Sequence, residues 1–303
     1  MSKIKSYLST ILVVLVFIQL APTLIKNINA NYKSLFGLTT QVGKLKIKDA
    51  IGDISNYSKN LKNFFEKSDI KAIFIEIESP GGTAGASKAL FDEILSLKKE
   101  YPKPVVILSN DLCASGAYYI ACAGDHIVSS SSAIIGSIGS YIGSFKLKDL
   151  IESMKVEYNI KQSGKYKTAL NPFTKITPEQ NEFLQAISDD VYDQFKRDVA
   201  TRRNLSLDTA DTWANGKFFS GKQALALGLV DEVGSEYNAI KKIRELAKID
   251  KDKKIEWVKS ESPSAFEQLL GKDDSSSNSL LDIIANKIFA KLGISADNKI
   301  MMQ

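Results

Sequence analysis

Histidine is nearly missing from this chain: His126 stands alone among 303 residues. That removes most imidazole ligand sets for a catalytic metal and leaves one imidazole at most for a triad. Cysteine is scarce too. Cys113 and Cys122 are the two present, too few for a disulfide scaffold or for most structural zinc sites. Both sit in an apolar stretch, which reads as two buried thiols, with a disulfide as the alternative. Neither sign of charge dominates. The 40 Lys and Arg against 35 Asp and Glu leave a net +5. No basic stripe with interleaved aromatics is visible, so nucleic acid is not expected as a partner. Internal repeats are absent as well.

What is present is ordinary for a globular chain: 44% hydrophobic and 25% charged. It suffices for one large domain or two small ones, plus a terminal anchor. One long apolar run, from about Tyr7 to Ile25, follows Lys3 and Lys5, and its centre from Ile11 to Ile18 is uninterrupted. Roughly 20 apolar residues cross a bilayer as a helix, so the run is just long enough for a transmembrane helix. The alternative is a secretory signal peptide cut near Ala30. Ile28 stands where a cleavage site prefers a small residue, which favours the anchor. Both readings export the rest of the chain. Lys26 and Lys33 after the run leave the charge asymmetry weak.

Further on, Lys71 to Glu78 predicts a strand, stopped by Ser79-Pro80-Gly81-Gly82. Ala84 to about Lys99 has helical spacing, Val105 to Ser109 reads as a second buried strand, and Asp111 to Ala114 as a tight segment. A short helix is expected from Ser115 to about Ala123 and a third strand from His126 to Ser129. Strand, helix, strand, helix, strand is the pattern of a right-handed parallel α/β layer. Val156 to Ile160 is a further candidate strand. Thr177-Pro178-Glu179-Gln180 has the signature of a capping box opening a helix through about Arg202. Helices are also expected near Gly221 to Leu227 and Ser235 to Ala247. A polar linker spans Gly271 to Ser279, and an apolar helical stripe runs from Leu280 to Leu292.

In a parallel sheet, loops at the carboxyl ends of adjacent strands converge on one crevice. Here those loops are Ser79-Pro80-Gly81-Gly82 and Cys113-Ala114-Ser115-Gly116. Ser115 would open a helix, near free backbone N–H groups, and Gly82 and Gly116 have no side chains to keep their N–H groups from an oxyanion. By itself this pattern more often means tight packing. A serine nucleophile also needs a base. A helix from Ser115 would carry His126 about 13 Å away at ~1.5 Å per residue, so His126 reads as a structural residue at a strand edge. The base left is a lysine. A lysine accepts a proton at neutral pH only when burial or a neighbouring positive dipole brings its pKa from ~10.4 to roughly 7–8. Spacing does not choose among the many lysines.

The stretch Ala114-Ser115-Gly116-Ala117-Tyr118-Tyr119-Ile120-Ala121 recurs in a known family, together with Ser79-Pro80-Gly81-Gly82, Gly136-Ser137-Ile138-Gly139 and Ser163-Gly164-Lys165-Tyr166-Lys167. So do Gly216-Lys217-Phe218-Phe219-Ser220-Gly221-Lys222-Gln223-Ala224 and Leu227-Gly228-Leu229-Val230-Asp231. In these motifs the chain resembles the bacterial signal peptide peptidase (protease IV) family in its short, single-repeat form. The resemblance implies Ser115 as nucleophile and Lys167 as general base, with Lys165 the near alternative. It implies Ser137 as the hydroxyl that orients the lysine, and Gly82 and Gly116 as oxyanion donors. It further implies an α/β fold of crotonase or Clp protease-like parallel layers with surrounding helices, plus the N-terminal transmembrane helix. The expected division is an anchor over 1–30, a peptidase domain over 31–250, and a strand, polar linker and amphipathic helix over 251–303. The implied partners are peptide substrates (cleaved signal peptides), the bacterial cytoplasmic membrane with the catalytic domain on its non-cytoplasmic side, and further copies of the chain in a ring or dome. No metal or cofactor is called for. Two other functions compete: a crotonase-type acyl-CoA enzyme on the same fold, and a non-catalytic membrane scaffold.

Overall fold

The computed structural model of the chain describes Ala21 and residues 39–260. Apart from Ala21, the expected membrane helix lies outside the described residues, as do the linker at 271–279 and the stripe from Leu280 to Leu292. Among the described residues, no helix is long and apolar enough to cross a membrane.

In chain order the elements begin β1 (Thr39–Lys48), α1 (Ser55–Glu66), β2 (Ile70–Glu78), α2 (Ala84–Glu100), β3 (Val105–Ser109), β4 (Leu112–Ala114) and α3 (Gly116–Ala121). They continue β5 (His126–Ser129), β6 (Ile134–Gly136), α4 (Lys148–Ser153), α5 (Pro178–Arg203), α6 (Ala210–Trp213), β7 (Phe218–Ser220), α7 (Gly221–Ala226), β8 (Glu232–Val233), α8 (Glu236–Leu246) and β9 (Lys254–Lys259). Six strands form one sheet in the order β8-β5-β3-β2-β1-β9, every neighbour parallel. A second, three-stranded sheet runs β4-β6-β7, parallel then antiparallel.

Both faces of the large sheet are covered, which explains why β2 and β3 read as unbroken apolar runs. Ile73, Ile75, Ile77, Val105 and Ile107 join a core with Leu61, Phe64 and Phe65 of α1 and Leu90, Phe91 and Ile94 of α2. Ala72, Phe74, Val106 and Leu108 turn to the opposite face, against Ala239 and Ile243 of α8. Each such large side chain contributes about 1.5–3 kcal/mol by burial. The capping box at Thr177 forms as expected: its hydroxyl accepts from Gln180 N–H (3.2 Å), and Gln180 Oε1 accepts from Thr177 N–H (3.1 Å).

One expectation is corrected. Val156 to Ile160 is not a strand. Alternation alone makes no strand without a partner ladder, and Val156, Tyr158 and Ile160 are exposed rather than packed on a sheet. The tight segment Asp111 to Ala114 contains a strand, β4, and the helix after it starts at Gly116 rather than Ser115.

The far end of α5 is clamped to the sheet. Arg203 grips both carboxylate oxygens of Asp231 (2.9 Å each), and Asp231 also accepts from Ile127 N–H (2.7 Å). Burial opposes ionisation of Asp231, but Arg203, the Ile127 N–H and His126 outweigh it and hold the carboxyl below its usual range. A depressed carboxylate contributes stability that is complete above its unfolded pKa of ~3.9 and is lost as pH falls through the folded value. Asp231→Asn is expected to lower stability at pH 7 by on the order of 1–3 kcal/mol, seen as a lower Tm. It should also flatten the Tm-versus-pH curve between about pH 5 and pH 3. Thermal melts of both proteins across that window check both effects.

Candidate active site

Two backbone segments meet where β2 and β4 end. Ser79 N–H donates to Leu112 O (2.8 Å) and Ala114 N–H donates to Ser79 O (3.2 Å), so the chain after β2 runs parallel to β4. The chemistry lies just beyond these bonds, at Gly81 and Gly82 on one segment and Ser115 and Gly116 on the other. Gly81 has φ 103, and a Cβ placed on it would meet Gly116 N at 2.7 Å and the Ser115 Cβ at 2.8 Å. Side chains are excluded here because two backbones touch.

Ser115 itself has φ 53 and ψ −127. That conformation is uncommon for a residue with a Cβ and costs roughly 1–3 kcal/mol. It is held by Ser115 N–H donating to Gly136 O (2.7 Å) and by Tyr119 N–H donating to Ser115 O (3.0 Å). The hydroxyl makes no capping bond to α3 and is left for other work. The strained turn is what a sharp strand-to-helix corner needs to present a side chain outward.

The oxyanion donors expected at Gly82 and Gly116 stand side by side. A Cβ on Gly116 would lie 3.4 Å from Gly82 N. Gly81 O accepts from Ile51 N–H (2.8 Å), and Thr83 N–H donates to Ile51 O (2.8 Å). A trans peptide points its C=O and N–H in opposite directions. With Gly81 O aimed at Ile51, the Gly82 N–H is therefore aimed away from it, towards Gly116. Among the described residues neither the Gly82 nor the Gly116 N–H has a hydrogen-bond partner. A Cβ at position 82 would sit 1.9 Å from Ile51 O, a backbone atom that cannot swing aside. Gly82→Ala is accordingly expected to displace the loop and lower kcat by on the order of 10²-fold or more. Steady-state kinetics on an unfolded peptide checks this, and a variant within about twofold of the parent removes Gly82 from the site.

Ser137 follows Gly136, the residue bonded to Ser115, and its own N–H donates to Lys217 O (2.8 Å). It too has a positive φ, 52. So the structure brings Ser115, Gly116, Gly82 and Ser137 into one place. Lys167 is different. It is exposed, within a run from 141 to 167 in which no residue is buried. Its amine has no partner among the described residues, so within one chain it is bonded to neither Ser115 nor Ser137. Lys165 is paired with Glu179 at 2.9 Å. That carboxylate pushes the Lys165 amine above the ordinary lysine value, making it a poorer proton acceptor. The same run carries Tyr141 at 91% exposure and Phe145 at 81%, with Met154, Val156, Tyr158 and Ile160 also exposed. These exposed apolar side chains alternate with charged ones, Lys146, Lys148, Lys155 and Lys161 among them.

The other nucleophile candidates are inert. Cys113 and Cys122 are free and buried. Burial pushes Cys122 up to about 12 and Cys113 well above the usual thiol value. His126 opens β5, half-buried, with Nε2 3.3 Å from Glu232. The strap from Asp49 to Ile51, which aims Gly82, went unread in the sequence. Asp49 has φ 59 although it is not a glycine.

Residues 97–250 match the model of peptidase family S49. The chain is similar to a candidate protease of Methanocaldococcus jannaschii, 35% identical over 70% of this chain and 68% of that one. It is similar to a candidate protease of Synechocystis, 34% identical over 80% and 87% of the two chains. It is also similar to a candidate signal peptide peptidase of Enterococcus faecium, 28% identical over 81% and 72%.

Proposed function

The chain belongs to peptidase family S49 and is a serine peptidase, and from that premise we propose that it is a membrane-anchored endopeptidase working by a Ser115–Lys167 dyad. The observation that carries the nucleophile is the corner at Ser115: strained backbone, uncapped hydroxyl, and two unpaired N–H groups beside it. Neutral Lys167 takes the Ser115 proton, and Ser137 orients the amine. The Ser115 oxygen attacks the peptide carbonyl, whose oxygen is held by the Gly82 and Gly116 N–H groups. The protonated lysine then gives its proton to the leaving amine, and water releases the acyl group in a second, mirrored step.

The exposed amine at 167 supports the wider reading. A lysine base must be desolvated, and one chain leaves this side chain open. The reading is a homo-oligomer, ring or dome, in which the exposed run from 141 to 167 docks on a neighbour through its open apolar side chains and Lys167 meets that neighbour's Ser115. The substrates are short unfolded peptides, cleaved signal peptides among them. The apolar run from Tyr7 to Ile25 supports anchoring to the bacterial cytoplasmic membrane with the catalytic domain on the non-cytoplasmic side. The paired β4-β6-β7 sheet set against the large parallel one supports the crotonase or Clp-like form of the α/β fold. Family membership sets aside the acyl-CoA alternative. A fluorophosphonate, which phosphonylates an activated serine, is expected to label the protein at Ser115 and to label Ser115→Ala not at all. Mass spectrometry of the modified peptide reads this directly, and an unlabelled parent that also leaves unfolded casein intact returns the scaffold reading.

A further inference from the structure

Ser79 is wholly buried, and its N–H, C=O and hydroxyl are all engaged. Its hydroxyl donates to Asp49 O (2.5 Å) and accepts from Gly81 N–H (3.1 Å). Its backbone N–H and C=O pair with Leu112 O and Ala114 N–H, in the strand that delivers Ser115. Three segments therefore meet on one residue: the strap at 49–51 and the glycine turn at 81–82 through its hydroxyl, and β4 through its backbone.

The consequence follows the peptide planes. The bond to Gly81 N–H fixes the plane between Pro80 and Gly81. The bond from Ile51 N–H to Gly81 O fixes the next plane, which carries the Gly82 N–H. Gly81 has φ 103 and no side chain of its own to hold it. Without the hydroxyl of residue 79, the first plane is free to rotate, Asp49 O loses its partner, and the strap slackens at its other end. The backbone bonds to β4 would survive, so Ser115 would keep its place while the donor beside it drifted.

We infer that Ser79 is a positioning residue for the oxyanion site: its hydroxyl sets the direction of the Gly82 N–H relative to Gly116. This rests on the reading of Ser115 as nucleophile and assigns a role that the nucleophile, base and donors do not cover. An oxygen that becomes negative only during the reaction gains from that alignment, and a ground-state carbonyl gains little.

The test uses the full-length protein and a peptide aldehyde. The aldehyde adds the serine oxygen reversibly, forming an O–C bond and a hemiacetal whose oxygen occupies the donor site. Active sites are first counted with a fluorophosphonate, so that misfolded material drops out of every rate. Ser79→Ala is expected to lower kcat per titrated site by at least about tenfold, to leave KM for the matching peptide within about twofold, and to weaken the aldehyde by the same factor as kcat/KM. A merely structural serine would lower Tm and the number of titratable sites while leaving kcat per site and aldehyde affinity unchanged, and that result overturns the inference. If Ser79→Ala yields no folded protein, Ser79→Cys, similar in volume but weaker at both bonds, is read by the same two ratios. Failure of the parent protein to react with the fluorophosphonate at Ser115 would defeat the underlying peptidase reading instead, and the two failures are told apart at the first step.

Discussion

Lys167→Ala lowers kcat/KM for an unfolded peptide by on the order of 10⁴-fold or more, while Lys165→Ala stays within about threefold of the parent. The contrast follows from what each amine faces. Lys165 is committed: Glu179 lies 2.9 Å from it and favours its charged form. A base must lose that proton before it can take the serine's. Lys167, two residues on, has no partner among the described residues and is free to enter a site. Because its side chain is exposed, truncating it should change stability by only about 0.5 kcal/mol either way. Loss of rate with an unchanged Tm is the signature of a chemical role. Lys165→Ala removes only a solvent-screened ion pair to Glu179 and a contact over the Tyr166 ring. The measurement is kcat/KM and Tm on both variants. If Lys165→Ala is the inactive one, the base assignment is wrong.

How far the sequence could be read varied with how local each determinant is. β2, α2, β3 and β5 were legible because their residues satisfy themselves with near neighbours: continuous apolar runs for strands buried on two faces, and helical spacing for α2. α5 announced itself through Thr177 and Gln180, whose two reciprocal bonds span three residues. β1 carries a strand signal in Lys44-Leu45-Lys46-Ile47-Lys48, with Leu45 and Ile47 inward and Lys46 and Lys48 outward. It went unread beside the louder apolar run before it. Val156 to Ile160 shows the converse failure. Its alternation is real, but strands are made by partners, and a partner is invisible in a window of five residues.

The site divides along the same line. Motif resemblance pointed to Ser115, Gly82, Gly116 and Ser137, and the fold places the four together. The sequence around Ser115 does not indicate φ 53, because its N–H is held by Gly136 O, 21 residues away. Nor does it indicate that Asp49 to Ile51 aims the Gly82 N–H, a contact over some thirty positions. Residues that react carry recognisable types in recognisable order. Residues that hold them do so through backbone atoms, which every residue has.

Co-expressing Ser115→Ala with Lys167→Ala restores activity that neither variant has alone. Each inactive chain keeps what the other lacks: one supplies Lys167, the other Ser115. If the dyad is completed across a closed interface, a site needs its serine from a Lys167→Ala chain and its lysine from an adjacent Ser115→Ala chain. At equal amounts and random assembly, this happens at about one site in four. If both groups come from one chain, every site lacks one of them and the mixture stays dead. The structure favours the first outcome on two counts. Lys167 is bonded to neither Ser115 nor Ser137 within the chain. The run that carries it exposes Tyr141, Phe145, Met154, Val156, Tyr158 and Ile160 without a buried residue between 141 and 167. Apolar surface of that kind is covered when copies meet, and covering it would strip water from the amine. Desolvation is the step a lysine base requires, so docking and activation become one event. Activity per chain should accordingly fall on dilution, as interfaces part, faster than the folded fraction falls. A mixture with no recovered activity, from variants shown by size measurement to share the same oligomers, would place the dyad within a single subunit.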